Sequence, residues 1–177
     1  MKLAVYQYCD ESQRRSHELS IRFAWCDQAP QRDEVIAMGD EADWQIADVA
    51  TYAGNGALAE IYVVSLYRGT LPAREDWELL ALKAAYPEQS LQIQISDMGS
   101  DVLGFETTFL NQVPTVGSHL IRYGIREDTF VTRREEWKVS AVEVFTAIEE
   151  NVPFQQIYLV FHKVAQHSLT VQKSQVE

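Results

Sequence analysis

Cysteine, long apolar runs and positive charge are what this chain has least of. Two cysteines, Cys9 and Cys26, stand among 177 residues, too few for the disulfide frameworks that small secreted domains rely on. If residues 2–9 and 18–26 form an antiparallel hairpin turning near 10–17, Cys9 lies beside the turn and Cys26 at the far end. That separation exceeds the roughly 7 Å between Cα atoms that a disulfide can bridge. Both are therefore expected as free thiols. Neither has a CxxC partner or a neighbouring base, so each reads as a small buried apolar side chain rather than a reactive one. No run approaches the roughly 20 apolar residues a membrane span needs, and the opening MKLAVYQYC is too short and too polar for a signal peptide. The expected location is the cytoplasm, with no membrane partner. Lysine and arginine number 15 against 26 aspartates and glutamates, a net charge of −11. Such a surface repels a phosphate backbone, so nucleic acid is not an expected partner.

Catalytic signatures are also missing. The chain has no GxSxG, P-loop or dinucleotide fingerprint; the glycines at 54 and 56 precede a strand, where a phosphate-cradling loop needs a helix to follow. The four histidines, His17, His119, His162 and His167, form no HxxxH, HExxH or His-Cys cluster, so no metal or cofactor is expected. His119 and His162 would approach one another if their strands pair, with Glu143 or Glu106 adding a carboxylate. The more economical reading is of isolated histidines on a wet strand face. Acidic pairs such as Asp10–Glu11, Glu75–Asp76 and Asp97–Asp101 read as solvated surface.

What is present is a pattern stated twice. SIRFAWCDQAP at 20–30 matches GFETTFLNQVP at 104–114, WQIADVATY at 44–52 matches WKVSAVEVF at 137–145, and AEIYVVSL at 59–66 matches QQIYLVFH at 155–162. The blocks keep their order, and 7 of 28 positions are identical, which points to an internal duplication. Hydrophobic residues at 46% and charged residues at 23% are ordinary for a globular chain that folds.

Each copy reads as about five short strands. In the first these are residues 2–8, 18–26, 35–38, 44–52 and 61–67. In the second they are 91–95, 103–110, 118–124, 129–145 and 154–162. The Trp44 and Trp137 segments alternate for two apolar positions and then slip by one. A strand with a bulge explains the slip, because one extra residue reverses the side-chain phase; a short helix is the competing reading. Between the copies, residues 73–86 carry Trp77, Leu80, Ala81 and Ala84 at helical spacing, with acidic residues in the first turn and Pro87 at the end. The expected class is mainly β (α+β): two duplicated five-stranded units, 1–70 and 89–163, joined by one helix within 71–88, with a loose tail over 164–177. The order of turn, short strand, W-x-[IV]-x-x-V and apolar strand resembles SH3-like small β-barrels, a likeness of fold pattern that carries no function. The recurring Trp44, Trp137, Tyr62 and Tyr158 read as core positions.

The copies differ most in charge. Four and three residues before the repeated tryptophan, the first has Asp40 and Glu41 and the second Arg133 and Arg134, with Arg122 and Arg126 nearby. Together the arginines read as a local basic stretch within an acidic chain; the competing reading is that Glu127, Asp128, Glu135 and Glu136 neutralise them along an ordinary exposed hairpin. Complementary patches on equivalent surfaces suit a self-associating protein or an adaptor. The sequence therefore leads to a non-enzymatic, cytoplasmic protein-binding or assembly module that engages an acidic partner surface or itself. Its contact residues would be Arg122, Arg126, Arg133, Arg134, Asp40 and Glu41. The alternative is an enzyme or small-molecule sensor with its site in the cleft between the repeats, drawn from His119, His162, Arg122 and Glu143.

Overall fold

The computed structural model describes residues 2–9, 21–38, 41–68, 89–96, 102–109, 112–126, 131–150 and 152–165. All regular structure within these residues is β. The first half contributes β1 (Lys2–Cys9), β2 (Ile21–Cys26), β3 (Val35–Met38), β4 (Glu41–Gly54) and β5 (Glu60–Arg68). The second contributes β6 (Gln89–Ser96), β7 (Val102–Phe109), β8 (His119–Arg126), β9 (Val131–Ala147) and β10 (Gln156–Val164). The helix expected over 73–86 lies outside the described residues. Of the tail expected over 164–177, Val164 pairs with Trp137 and the Ala165 N–H bonds the Glu136 carbonyl at 2.9 Å; the remainder lies outside the described residues.

The ten strands form one sheet in the order β2-β1-β5-β4-β9-β10-β6-β7, with β3 added to β4 and β8 to β9. The sequence leaves open whether the two five-stranded units form separate barrels or one sheet; here they share one sheet. The halves meet edge to edge through Tyr52–Ala147, Ala53–Thr146 and Gly54–Phe145, and the combined sheet curls into a nearly closed barrel. At the open seam the rings of Phe23 on β2 and Phe105 on β7 lie 5.7 Å apart between centroids, a tilted aromatic pair across two strand edges.

The pairing scheme of the first half recurs in the second. β1 runs antiparallel to β2 and parallel to β5, and β6 does the same with β7 and β10. The bulges recur as well. The register of β4 against β5 skips Ala47, between Ile46 and Asp48, and that of β9 against β10 skips Ser140, between Val139 and Ala141. These residues sit three after Trp44 and Trp137, and each skip reverses the side-chain phase. Trp44 and Ile46 consequently face outward, whereas Ala50 and Tyr52 face into the barrel. Matching turns lead into β3 and β8 and bond the bulged strands: Asp33 N–H bonds Ile46 O and Gly117 N–H bonds Val139 O, both at 2.9 Å. Asp33 and Gly117 both adopt positive φ, 69° and 96°, a backbone that glycine takes freely and aspartate tolerates.

Inward-facing residues from both halves make a single core, with Leu3, Val5, Ile61 and Val63 from one side and Leu91, Ile93, Phe145 and Ile157 from the other. The junction is filled. Tyr52 crosses it, its hydroxyl donating to the Phe154 carbonyl at 2.8 Å and accepting the Phe154 N–H at 3.1 Å. The outer face of the first half carries its own apolar cluster of Ala4, Trp44, Ile46, Tyr62, Val64 and Leu66. Trp44, Tyr62 and Tyr158 are buried as expected of core positions, and Trp137 is half-buried. No helix among the described residues is long and apolar enough to cross a membrane.

Candidate functional site

Two features of the second half stand out among the described residues. One is a ribbon. β10 accompanies β9 only from Trp137 onward, whereas β8 pairs with β9 from Val131 to Lys138, so the N-terminal part of β9 and its partner β8 extend as a two-stranded arm. The corresponding β3–β4 ladder spans Val35–Met38 against Glu41–Gln45. Register places Arg122 opposite Glu135, Tyr123 opposite Arg134, Gly124 opposite Arg133 and Arg126 opposite Val131. Glu41 opens β4 opposite Met38; Asp40 lies outside the described residues.

The other is a pocket of about 320 Å³ on the outer face of the second half. Its polar wall is Gln92 and Gln94 from β6, Glu106 from β7 and His162 from β10. Val139, Val160 and Leu120 supply aliphatic surface, and Val113, Pro114 and Ser118 come from the connection leading into β8. His162 is 2% exposed and Gln92 7%. A hydrogen bond joins His162 Nε2 to Gln94 Oε1, and Gln92 Nε2 donates to the Gln112 carbonyl at 3.1 Å. The side chain of Gln112 in turn accepts from the Thr108 hydroxyl.

Of the histidine and carboxylate candidates, His119, His162 and Glu106 line this pocket, on the outer face of one half rather than in a cleft between halves. Glu143 is elsewhere, accepting the Ala57 N–H at 3.0 Å beside the 55–57 turn. Arg122 sits on the ribbon, opposite Glu135. His17 and His167 lie outside the described residues. Among the described residues, no three His, Cys, Asp or Glu side chains converge as a metal site requires. Cys26 is a half-buried free thiol whose Sγ contacts the Lys2 carbonyl at 3.6 Å. Burial pushes its pKa up, away from the thiolate a reactive cysteine needs.

The pocket escaped the sequence because its signal is a contrast between halves. Counting along the ladders, Gln92, Gln94, Glu106 and His162 occupy the positions of Ala4, Tyr6, Ala24 and Leu66, while Val139, Val160 and Leu120 occupy those of Ile46, Val64 and Ile36. The same ladders correct one of the matched blocks. Phe23 faces Val5 and Phe105 faces Ile93, so these two phenylalanines correspond, not Phe23 and Thr107. The second-half connection from there to the proline is two residues longer, and the extra length lies in the segment that brings Gln112 against Gln92. Comparison of the chain with protein-family models, with characterised proteins and with solved structures returns no match.

Proposed function

We propose that the chain is an internally duplicated, non-enzymatic protein-binding and assembly module whose β8–β9 ribbon engages an acidic protein surface. The observation that carries this reading is the ribbon itself: β8 and the N-terminal part of β9 bear all four arginines and extend past the stretch of β9 that pairs with β10. The recurring strand pairing, bulges and turns support the duplication. The filled junction between the halves favours a contact surface over an enzyme cleft at that junction.

The acidic surface identified by the sequence is Asp40, Glu41 and Asp43 of a second copy, at the positions that Arg133 and Arg134 and their neighbourhood occupy in the other half. A contact between unlike patches of identical chains is heterologous, and propagates head to tail into a ring or a filament. Its strength would be largely electrostatic and hence salt-sensitive. Charge reversal tests it: Arg133→Glu with Arg134→Glu abolishes association while leaving the melting temperature nearly unchanged. Mixing that variant with Asp40→Arg/Glu41→Arg restores a heterodimer by light scattering. Association that survives the arginine reversal contradicts the proposal.

A further inference from the structure

We infer that the outer-face pocket of the second half is a binding site for a small organic ammonium with a short aliphatic body. The inference stands apart from the ribbon arginines, none of which is among the described residues that line the pocket.

The two halves solve the same packing problem in opposite ways. In the first, Ala4, Leu66 and Val64 pack with Ile46, and Tyr6 lies against them, as an apolar cluster. At the matching places the second half has Gln92, His162 and Val160 beside Val139, with Gln94 next to them. Burying an amide and an imidazole costs stability unless their hydrogen bonds are remade, and the first half demonstrates that this sheet face can be closed without them. Local departures from the apolar solution concentrate at functional sites in otherwise consistent folds. Here they are gathered around one cavity, whose volume lies at the small end of the range of about 300–1,000 Å³ typical of ligand pockets.

The lining selects the ligand. Gln92 spends its amide N–H on the Gln112 carbonyl and keeps its side-chain carbonyl as an acceptor. Glu106 is an acceptor alone when ionised. No lysine or arginine is among the described residues that line the pocket, and the whole chain carries −11. The Gln92 carbonyl and the Glu106 carboxylate call for a ligand that donates hydrogen bonds and carries positive charge, and the Gln94 amide and Ser118 hydroxyl leave room for a further polar contact. Leu120, above the buried valines at 139 and 160, offers apolar surface to a branched alkyl group.

An isosteric series separates charge from shape: 3-methylbutylamine, 3-methylbutanol and 3-methylbutanoate, titrated separately while backbone amide resonances are followed by NMR. The amine is expected to bind at least tenfold tighter than the carboxylate, with shifts clustered on Val139, Val160 and Ser118. Glu106→Gln, a change at an exposed residue, should bring amine and alcohol to equal affinity. The triple variant Gln92→Ala, Gln94→Tyr, His162→Leu copies the first half, and should lose the binding while melting no lower than the wild type. Absence of binding by all three probes, equal or tighter binding of the carboxylate, or shifts centred elsewhere would overturn the assignment. A triple variant that melts below the wild type would also overturn it, by showing that the polar groups are needed for folding.

Discussion

Tyr52 shows how one side chain fastens the two halves. Its phenol sits in the shared core and satisfies both the N–H and the carbonyl of Phe154. Tyr52→Phe keeps the ring and removes both bonds, leaving two buried backbone groups unpaired. The expected loss is about 1–3 kcal/mol, read from urea unfolding at constant m-value. A second residue-scale test lies at the surface, where Lys2 Nζ donates to Glu60 Oε2 at 2.8 Å and to the Tyr62 hydroxyl at 2.6 Å. The bond from Lys2, and then that from Tyr62, holds Glu60 below the usual carboxylate range, while Glu60 and then Tyr62 hold Lys2 above the usual amine range. A depressed carboxylate contributes stability above its unfolded pKa of about 4.3 and loses it as pH falls through the lower folded value. The raised amine contributes below about 10.4 and loses its share as pH rises through its higher folded value. Glu60→Gln should therefore flatten the acid limb of the melting-temperature profile below about pH 4. A variant profile parallel to that of the wild type would contradict the pairing.

At the scale of strands, the sequence foretold more than local propensity usually allows, and the reason is phase. The slip after Ile46 and after Val139 marks a bulge in each copy, and the ladders place it at Ala47 and Ser140. The same logic fails for Leu91-Gln-Ile-Gln-Ile95. Clean alternation separates one face from the other but cannot distinguish a face open to water from one lining a pocket, and Gln92 is buried. Nor could spacing reveal that β4 and β9 pair, since the close approach there depends on an absent side chain. A Cβ at Gly54 would lie 2.5 Å from the Phe145 ring. Gly54→Ala should thus overpack the join and cost about 1–3 kcal/mol in unfolding free energy. A neutral effect in chemical denaturation would mean that the two strands can separate at that point without loss.

At the scale of the molecule, the charge contrast between halves was legible because it sits at matched distances from Trp44 and Trp137, whereas the pocket was not. Its walls come from β6, β7, β8, β9 and β10 and from the connection entering β8, segments far apart in sequence and brought together by the parallel β6–β10 pairing and its neighbours. The single sheet also joins two units of matching strand pairing but unlike surface. One half keeps an apolar outer face, while the other bears both the ribbon and the pocket, so two similar units become a molecule with unlike ends. Unlike ends on identical chains are the condition for head-to-tail association.

Molar mass by light scattering coupled to size exclusion, at about 20 mM and about 500 mM salt, tests that claim most directly, because the screening length falls from tens of ångströms to a few over this range. The account predicts oligomers at low salt that dissociate toward the 20.2 kDa monomer at high salt. A monomer under both conditions would contradict it.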